Sequence, residues 1–202
     1  MTDWIIQTIT DLGYVGIFLV MLAESIFPPI PSELIIPFAG FAAANGDLNL
    51  FGVLFTATFG AVVGMLPWYY AGRFFGLSRV RYLADRFGRV MAFNADEIDV
   101  AVKWFTRYGP IIVLFGRLIP LIRTLISIPA GLSRMSLPVF LLASTTGALI
   151  WNTFLTLSGY LLHEHYEMIE VVLDPLSYVV LGLVVVLYLI KVATWKPSQA
   201  KA

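Results

Sequence analysis

Two long runs without a single charged residue constrain this chain most: residues 48–72, 25 in number, and residues 135–162, 28 in number. Crossing the hydrocarbon core of a bilayer takes about 20 residues of helix, so each run is long enough to span. A third run, 175–190, reaches spanning length at Trp195 if Lys191 extends its ammonium to the interface. Residues 4–23, interrupted only by Asp11, make a fourth. These four are read as ordinary spans. Composition agrees, with 59% of the 202 residues hydrophobic and 13% charged, against about 45–50% and about 25% in soluble domains. The 13 basic and 13 acidic side chains leave no net field to draw a polyanion, so nucleic acid is excluded as a partner. With no cysteine there is no thiolate nucleophile and no cysteine metal site.

Two further apolar regions resist that reading. Residues 24–46 hold Glu24 and Glu33 with Pro28, Pro29, Pro31 and Pro37, and residues 109–131 hold Arg117 and Arg123 with Pro110, Pro120 and Pro129. Proline removes a backbone donor and clashes with the preceding turn, so neither region makes one clean helix. Broken helix at membrane depth survives only buried in protein or lining a wet cavity. Both regions are read as re-entrant hairpins, against the competing reading of a kinked span with charges near the interface. Pro28, Pro29, Pro31, Pro120, Pro129 and Gly131 are the residues expected to shape them.

Lysine and arginine set the orientation. Residues 73–107 carry seven of them, and the tail adds Lys191, Lys196 and Lys201, whereas residues 163–174 carry Glu164, Glu167, Glu170 and Asp174 and no Lys or Arg. Basic loops stay in the cytoplasm. Both termini are therefore expected inside and the two hairpins open to opposite sides. The fold expected is all-α: a polytopic membrane protein with two oppositely oriented re-entrant hairpins in an inverted repeat. Its parts are a first repeat at 1–76 with its hairpin at about 24–46, cytoplasmic amphipathic helices at 77–108, a second repeat at 109–165 with its hairpin at about 109–131, and a C-terminal helix at 176–195. Matching glycines support the repeat, since Gly60 precedes Gly72 by the same twelve residues that separate Gly147 from Gly159. Within 77–108, Asn94 and Glu97 suit a capping box. They open a helix with Ile98, Ala101, Val102 and Phe105 on one side and an Asp99–Lys103 pair on the other.

The embedded charges carry the chemistry. Each of Glu24, Glu33, Arg117 and Arg123 would cost about 2.5–3.5 kcal/mol if left at the bilayer centre, so they must pair, face water or lose their charge. Burial favours the neutral carboxyl and a neighbouring guanidinium the charged one. A glutamate held between those two influences can serve as a proton switch. Arginine's rigid fork suits phosphate, and half-helices starting near Pro31 and Pro120 would aim their positive ends at an anion. Two readings stand at this level: the charges pin the hairpins together, or they bind a headgroup whose tail stays in lipid. His163 and His165, with the neighbouring acids, read as a solvated loop rather than a metal site. No metal or cofactor is expected, and no enzyme.

The residues also resemble a known family. ESIFPPIPSE (Glu24 to Glu33) followed by PFAG is similar to the first hairpin motif of the DedA family of membrane proteins, and FGRLIPLIRTLISIPAG (Phe115 to Gly131) to its second. Gly60, Tyr70, Gly72, Arg73 and Gly76, and then Gly147, Trp151, Gly159 and Tyr160, resemble the spans that follow, so the likeness covers about residues 12–165. The resemblance implies a lipid transporter of the bacterial cytoplasmic membrane, most simply for undecaprenyl phosphate and driven by the proton-motive force. Arg117 and Arg123 would then bind substrate, and Glu24 and Glu33 would couple protons. The alternatives are a phosphatidylethanolamine flippase or scramblase and a proton-coupled exporter of small solutes. Membrane lipids and protons are the expected partners, and a second copy of the chain is left open.

Overall fold

The computed structural model describes residues 11–26, 32–91, 95–119, 122–161, 186, 190 and 192–193, with the backbone alone at 32–34, 83–91 and 95–97. The described residues are 89% helical, and no strand is found among them. Seven elements follow in order: α1 (Tyr14–Ile26), α2 (Ser32–Ala44), α3 (Leu50–Met91), α4 (Ala95–Gly116), α5 (Ile122–Leu125), α6 (Ser127–Leu132) and α7 (Leu137–Leu161).

Local chemistry sets most of the boundaries. Past the end of α2, Gly46 takes a positive φ of 87°, and the amide of Asp47 returns to the carbonyl of Ala42 at 3.0 Å, a left-handed stop for the helix. The next helix opens on a side-chain cap: Asn49 Oδ1 accepts from the amides of Phe51 (2.9 Å) and Gly52 (3.3 Å). The amide of Asn49 donates to the Tyr14 hydroxyl at 2.7 Å, tying the start of α3 to the start of α1. Helix α3 bends at Gly76 (φ 68°, ψ 161°) and α4 at Tyr108 (φ −126°, ψ 15°), two residues before Pro110. Between α4 and α5 the chain turns tightly, with amide-to-carbonyl bonds from Leu118 to Phe115 (3.0 Å) and Ile119 to Gly116 (3.3 Å). Broken backbone is thereby paired within the protein.

Two described stretches, Leu50–Tyr82 and Leu137–Leu161, are long and apolar enough to cross a membrane. Their outer faces carry large side chains in the open: Phe51 is 78% exposed, Phe74 76% and Leu142 72%. A watery surface would not tolerate so much contiguous hydrocarbon. By contrast α1 and α2, at 13 residues each, reach only about 20 Å.

Glycine decides how these helices meet. A Cβ at Gly60 would lie 2.8 Å from the carbonyl oxygen of Phe18, so α1 seats on α3; one at Gly147 would lie 2.7 Å from that of Leu114, so α4 seats on α7. The return arms then cross over. Gly72 of α3 and Gly131 of α6 meet the carbonyls of Ile128 and Tyr69, and Gly159 of α7 and Gly40 of α2 meet those of Pro37 and Thr156. Arm α6 thus lies on α3 and arm α2 on α7, each held by a reciprocal pair of glycines. Two apolar cores result, one around Ile17, Ile36 and Val53 and one around Met65, Tyr69 and Phe140.

Three expectations need correction or placement. Residues 4–10 of the expected span 4–23 lie outside the described residues; in the remainder Gly13 takes a positive φ of 53° and α1 runs from Tyr14 on to Ile26. The expected hairpin at about 24–46 falls on the end of α1 and on α2, and residues 27–31 between them lie outside the described residues. Asp99 does not pair with Lys103 along its own helix but accepts from Arg81, whose Nε lies 2.7 Å away, joining α4 to the end of α3. The expected inward face of α4 is found, with Phe105 buried and Ile98, Ala101 and Val102 half-buried. Pro28, Pro29, Pro31, Pro120, Asn94, the side chain of Glu97, the His163–His165 loop and most of 176–195 lie outside the described residues.

A Cβ at Gly159 would stand 1.9 Å from the Pro37 carbonyl oxygen, closer than any adjustment of α2 alone can relieve. Gly159→Ala and Gly72→Ala should each destabilise the fold by about 1–3 kcal/mol or more. The check is the melting temperature of purified protein in detergent, and an unchanged value for both would contradict this packing.

Candidate functional site

Glu24 stands in the last turn of α1, where the backbone carbonyls already present negative charge. It therefore needs a cation. Arg123, in the short α5, supplies one by donating through Nη2 to Glu24 Oε1, across 99 residues of sequence. Both are deeply buried, at 3% and 8% exposure, so water does little to screen the contact. Arg117, just beyond the end of α4, is buried as deeply but is held by neutral groups: its Nη2 donates to the Ser127 hydroxyl (2.8 Å) and to the Met65 sulfur (2.8 Å). Its Nε finds no acceptor among the described residues.

These three charged side chains line one cavity with Met21, Ser25, Ala61, Thr124, Ala148, Trp151 and Asn152, so α1, α3, α5 and α7 all contribute to its wall. A water's centre can range over about 20 Å³ there, room for one or two molecules. Polar contacts brace the walls. Asn152 donates to the Thr58 hydroxyl at 3.2 Å, joining α7 to α3, and the Thr156 hydroxyl donates back to the Asn152 carbonyl at 2.7 Å. The Trp68 indole donates to the Ser25 carbonyl at 3.1 Å, and the Ser25 hydroxyl to the Ala61 carbonyl at 3.4 Å. Trp151 Nε1 is buried with no acceptor among the described residues.

Of the expected site residues, Glu24, Arg117 and Arg123 are brought together. Glu33 is the second residue of α2, where the helix N-terminus favours an acid, and its side chain lies outside the described residues. Helices α2 and α5 begin one residue after Pro31 and two after Pro120, close to the expected starts. Pro129 lies inside α6, and Gly131 faces the Tyr69 carbonyl rather than the cavity. Sequence reading missed Ser127, Met65, Asn152, Thr58 and Thr124. A lone amide in the uncharged run 135–162 was the available signal for Asn152.

Apolar outer faces, two helices of spanning length and a buried charge cluster between broken helices define an integral membrane protein with an internal polar site. A family model for the VTT domain matches residues 30–161, and the chain belongs to that family, the DedA proteins. It is 41% identical over 191 residues to an alkaline phosphatase-like protein of Lactococcus lactis subsp. cremoris, covering 94% of this chain and 89% of the relative. It is 34% identical over 194 residues to undecaprenyl phosphate transporter A of Staphylococcus aureus, covering 95% and 96%. A Bacillus subtilis protein of the same name is 28% identical over 166 residues, covering 82% and 80%. No solved structure matches the chain.

Removing one member of a buried ion pair strands the other, at about 3–5 kcal/mol, whereas removing both costs less. Glu24→Ala and Arg123→Ala should each destabilise the protein by about that amount, and the double variant by less than the sum of the two. Unfolding of all four proteins in detergent measures the coupling, and additive losses would mean that the contact contributes nothing.

Proposed function

We propose that this protein carries a phosphate-bearing lipid between the leaflets of the bacterial cytoplasmic membrane, with undecaprenyl phosphate as the substrate and protons as the coupling ion. One observation carries the reading: a guanidinium–carboxylate contact joins two broken helices, with a second buried guanidinium beside it whose Nε has no acceptor among the described residues. Such a cluster, set between helices with apolar outer faces, can take a phosphate inside while the prenyl tail stays in lipid. The names of the Staphylococcus and Bacillus relatives point the same way.

In this reading the chain is a single membrane domain built as an inverted repeat. The two pairs of arms, α1 with α2 and the end of α4 with α5 and α6, are re-entrant hairpins. Their shortness and the reciprocal seating of α2 on α7 and α6 on α3 support this. The basic helices at 77–108 and both termini lie in the cytoplasm. An arriving phosphate takes Arg123 from Glu24, and the released carboxylate binds a proton. The neutralised assembly passes the headgroup, and deprotonation on the far side restores the pair. Glu33, at the start of α2, is assigned the same coupling role, and Arg117 and Arg123 the binding.

The name of the Lactococcus relatives favours a second reading, hydrolysis of a phosphate ester. The local chemistry argues against it. Ser25 spends its hydroxyl on Ala61, Ser127 accepts from Arg117, and the carboxylate among them is bound to a guanidinium. Among the described residues these groups suit holding an anion better than activating a nucleophile.

The test is purified protein in sealed vesicles, following labelled undecaprenyl phosphate across the bilayer with and without a proton gradient, with labelled phosphatidylethanolamine as the comparison. Wild type should move the first. Arg123→Ala should lose transport, and Glu24→Gln should lose its dependence on the gradient. Movement of phosphatidylethanolamine alone would reassign the substrate, release of inorganic phosphate would make the protein a phosphatase, and movement of neither lipid would favour a small-solute exporter.

A further inference from the structure

We infer that the Trp151 indole is a headgroup-binding donor that takes the third terminal oxygen of a phosphomonoester and thereby selects monoesters over diesters. The inference rests on the transporter reading above and adds a specificity residue to it. Arg117 Nε and Trp151 Nε1, both on residues that line the cavity, are buried without an acceptor among the described residues. A buried donor left unmade is costly, typically by about 1–3 kcal/mol, and native proteins keep few of them. These donors, one on α7 and one in the turn after α4, call for a ligand that offers acceptors there. Indole has a donor and no acceptor, so what it needs from a ligand is an acceptor atom.

Counting oxygens then sets the class. A phosphodiester presents two terminal oxygens, which the forks of Arg117 and Arg123 can satisfy between them. A phosphomonoester presents a third, and Trp151 Nε1 is the neutral donor left for it. With a diester bound, the indole stays buried and unmade, which is how a site rejects an analogue lacking one acceptor. The position also suits a fixed donor: Trp151 neighbours Asn152, which is tied to Thr58 of α3, and its ring packs against the apolar core of α1–α3.

The experiment uses the full chain in nanodiscs with three probes: farnesyl monophosphate, dihexyl phosphate and inorganic phosphate. Trp151→Phe should weaken farnesyl phosphate binding about tenfold or more and leave dihexyl phosphate binding nearly unchanged. Trp151→His, which retains a ring N–H, should recover part of the loss. Equal loss for both esters, or loss for neither, overturns the inference. Should Trp151→Phe fail to fold, the wild-type chain still decides: the Trp151 indole N–H resonance should move downfield with saturating farnesyl phosphate. Its staying put while the probe binds overturns the inference and leaves the transporter reading standing. A shift with inorganic phosphate as well supports the donor and identifies the phosphate itself as what is recognised. Wild type that binds neither farnesyl phosphate nor inorganic phosphate refutes the transporter reading, and this inference with it.

Discussion

The contact between Glu24 and Arg123 is what ties one half of this molecule to the other at its centre. Each residue stands at a break, Glu24 at the end of α1 and Arg123 in the four-residue α5. Glu24 ends one helix and Arg123 sits in a single helical turn, and the contact between them fixes both positions from outside their own helices. A buried ion pair gains little net stability over a well-packed apolar pair, because both ions give up water. What it supplies is position: a carboxylate accepts from a guanidinium in few geometries. The cluster is uneven as well. Arg123 is matched by charge, while Arg117 rests on a hydroxyl and a thioether, which compensate a buried cation poorly. That imbalance is a standing preference for an anion.

Around this centre the framework is made by close backbone approach. In lipid, helices gain no hydrophobic drive from meeting one another, so contact depends on packing and on buried polar bonds. Gly60 and Gly64 admit α1 to α3, Gly147 admits α4 to α7, and the reciprocal glycine pairs seat the return arms across the molecule. The Asn152–Thr58 bond adds a polar tie between the two long helices. The charged cluster is therefore set in a cage of closely packed helices.

Much of this was legible in the residues. The paired Gly60–Gly72 and Gly147–Gly159 spacing marked the contacts that the structure shows, and of the four charges inside apolar sequence Glu24, Arg117 and Arg123 meet in the candidate site, each too costly to leave in lipid unpaired. The break at Gly13 was not legible. Hydropathy sees residues 4–23 as one apolar stretch, and a single left-handed residue changes the path of the chain without changing its polarity. The cross-helix choice of Asp99 was equally hidden, since Arg81 becomes its neighbour only once α3 and α4 fold back on each other. Ser127, Met65 and Thr58 carry no spacing signature at all. They are ordinary residues of apolar helices until the fold points them at Arg117 and Asn152.

The cavity's size has a mechanical consequence for the proposed transport. With room for one or two waters, it cannot admit a phosphate while Glu24 holds Arg123. Something must move, and the packing limits what can. Arms α2 and α6 are seated with backbone against backbone, and a slide of either along its long helix would drive carbonyl oxygens into Cα positions. The end of α1 is seated as well, with the Leu22 carbonyl against Gly64 of α3, but the short α5 shows no such glycine seat among the described residues. Opening is therefore cheapest at α5, where breaking the ion pair releases the segment that carries Arg123. On this argument the ligand's charge supplies the force for the opening, by offering Arg123 a better partner than Glu24, and the bodies of the arms stay in place while it happens.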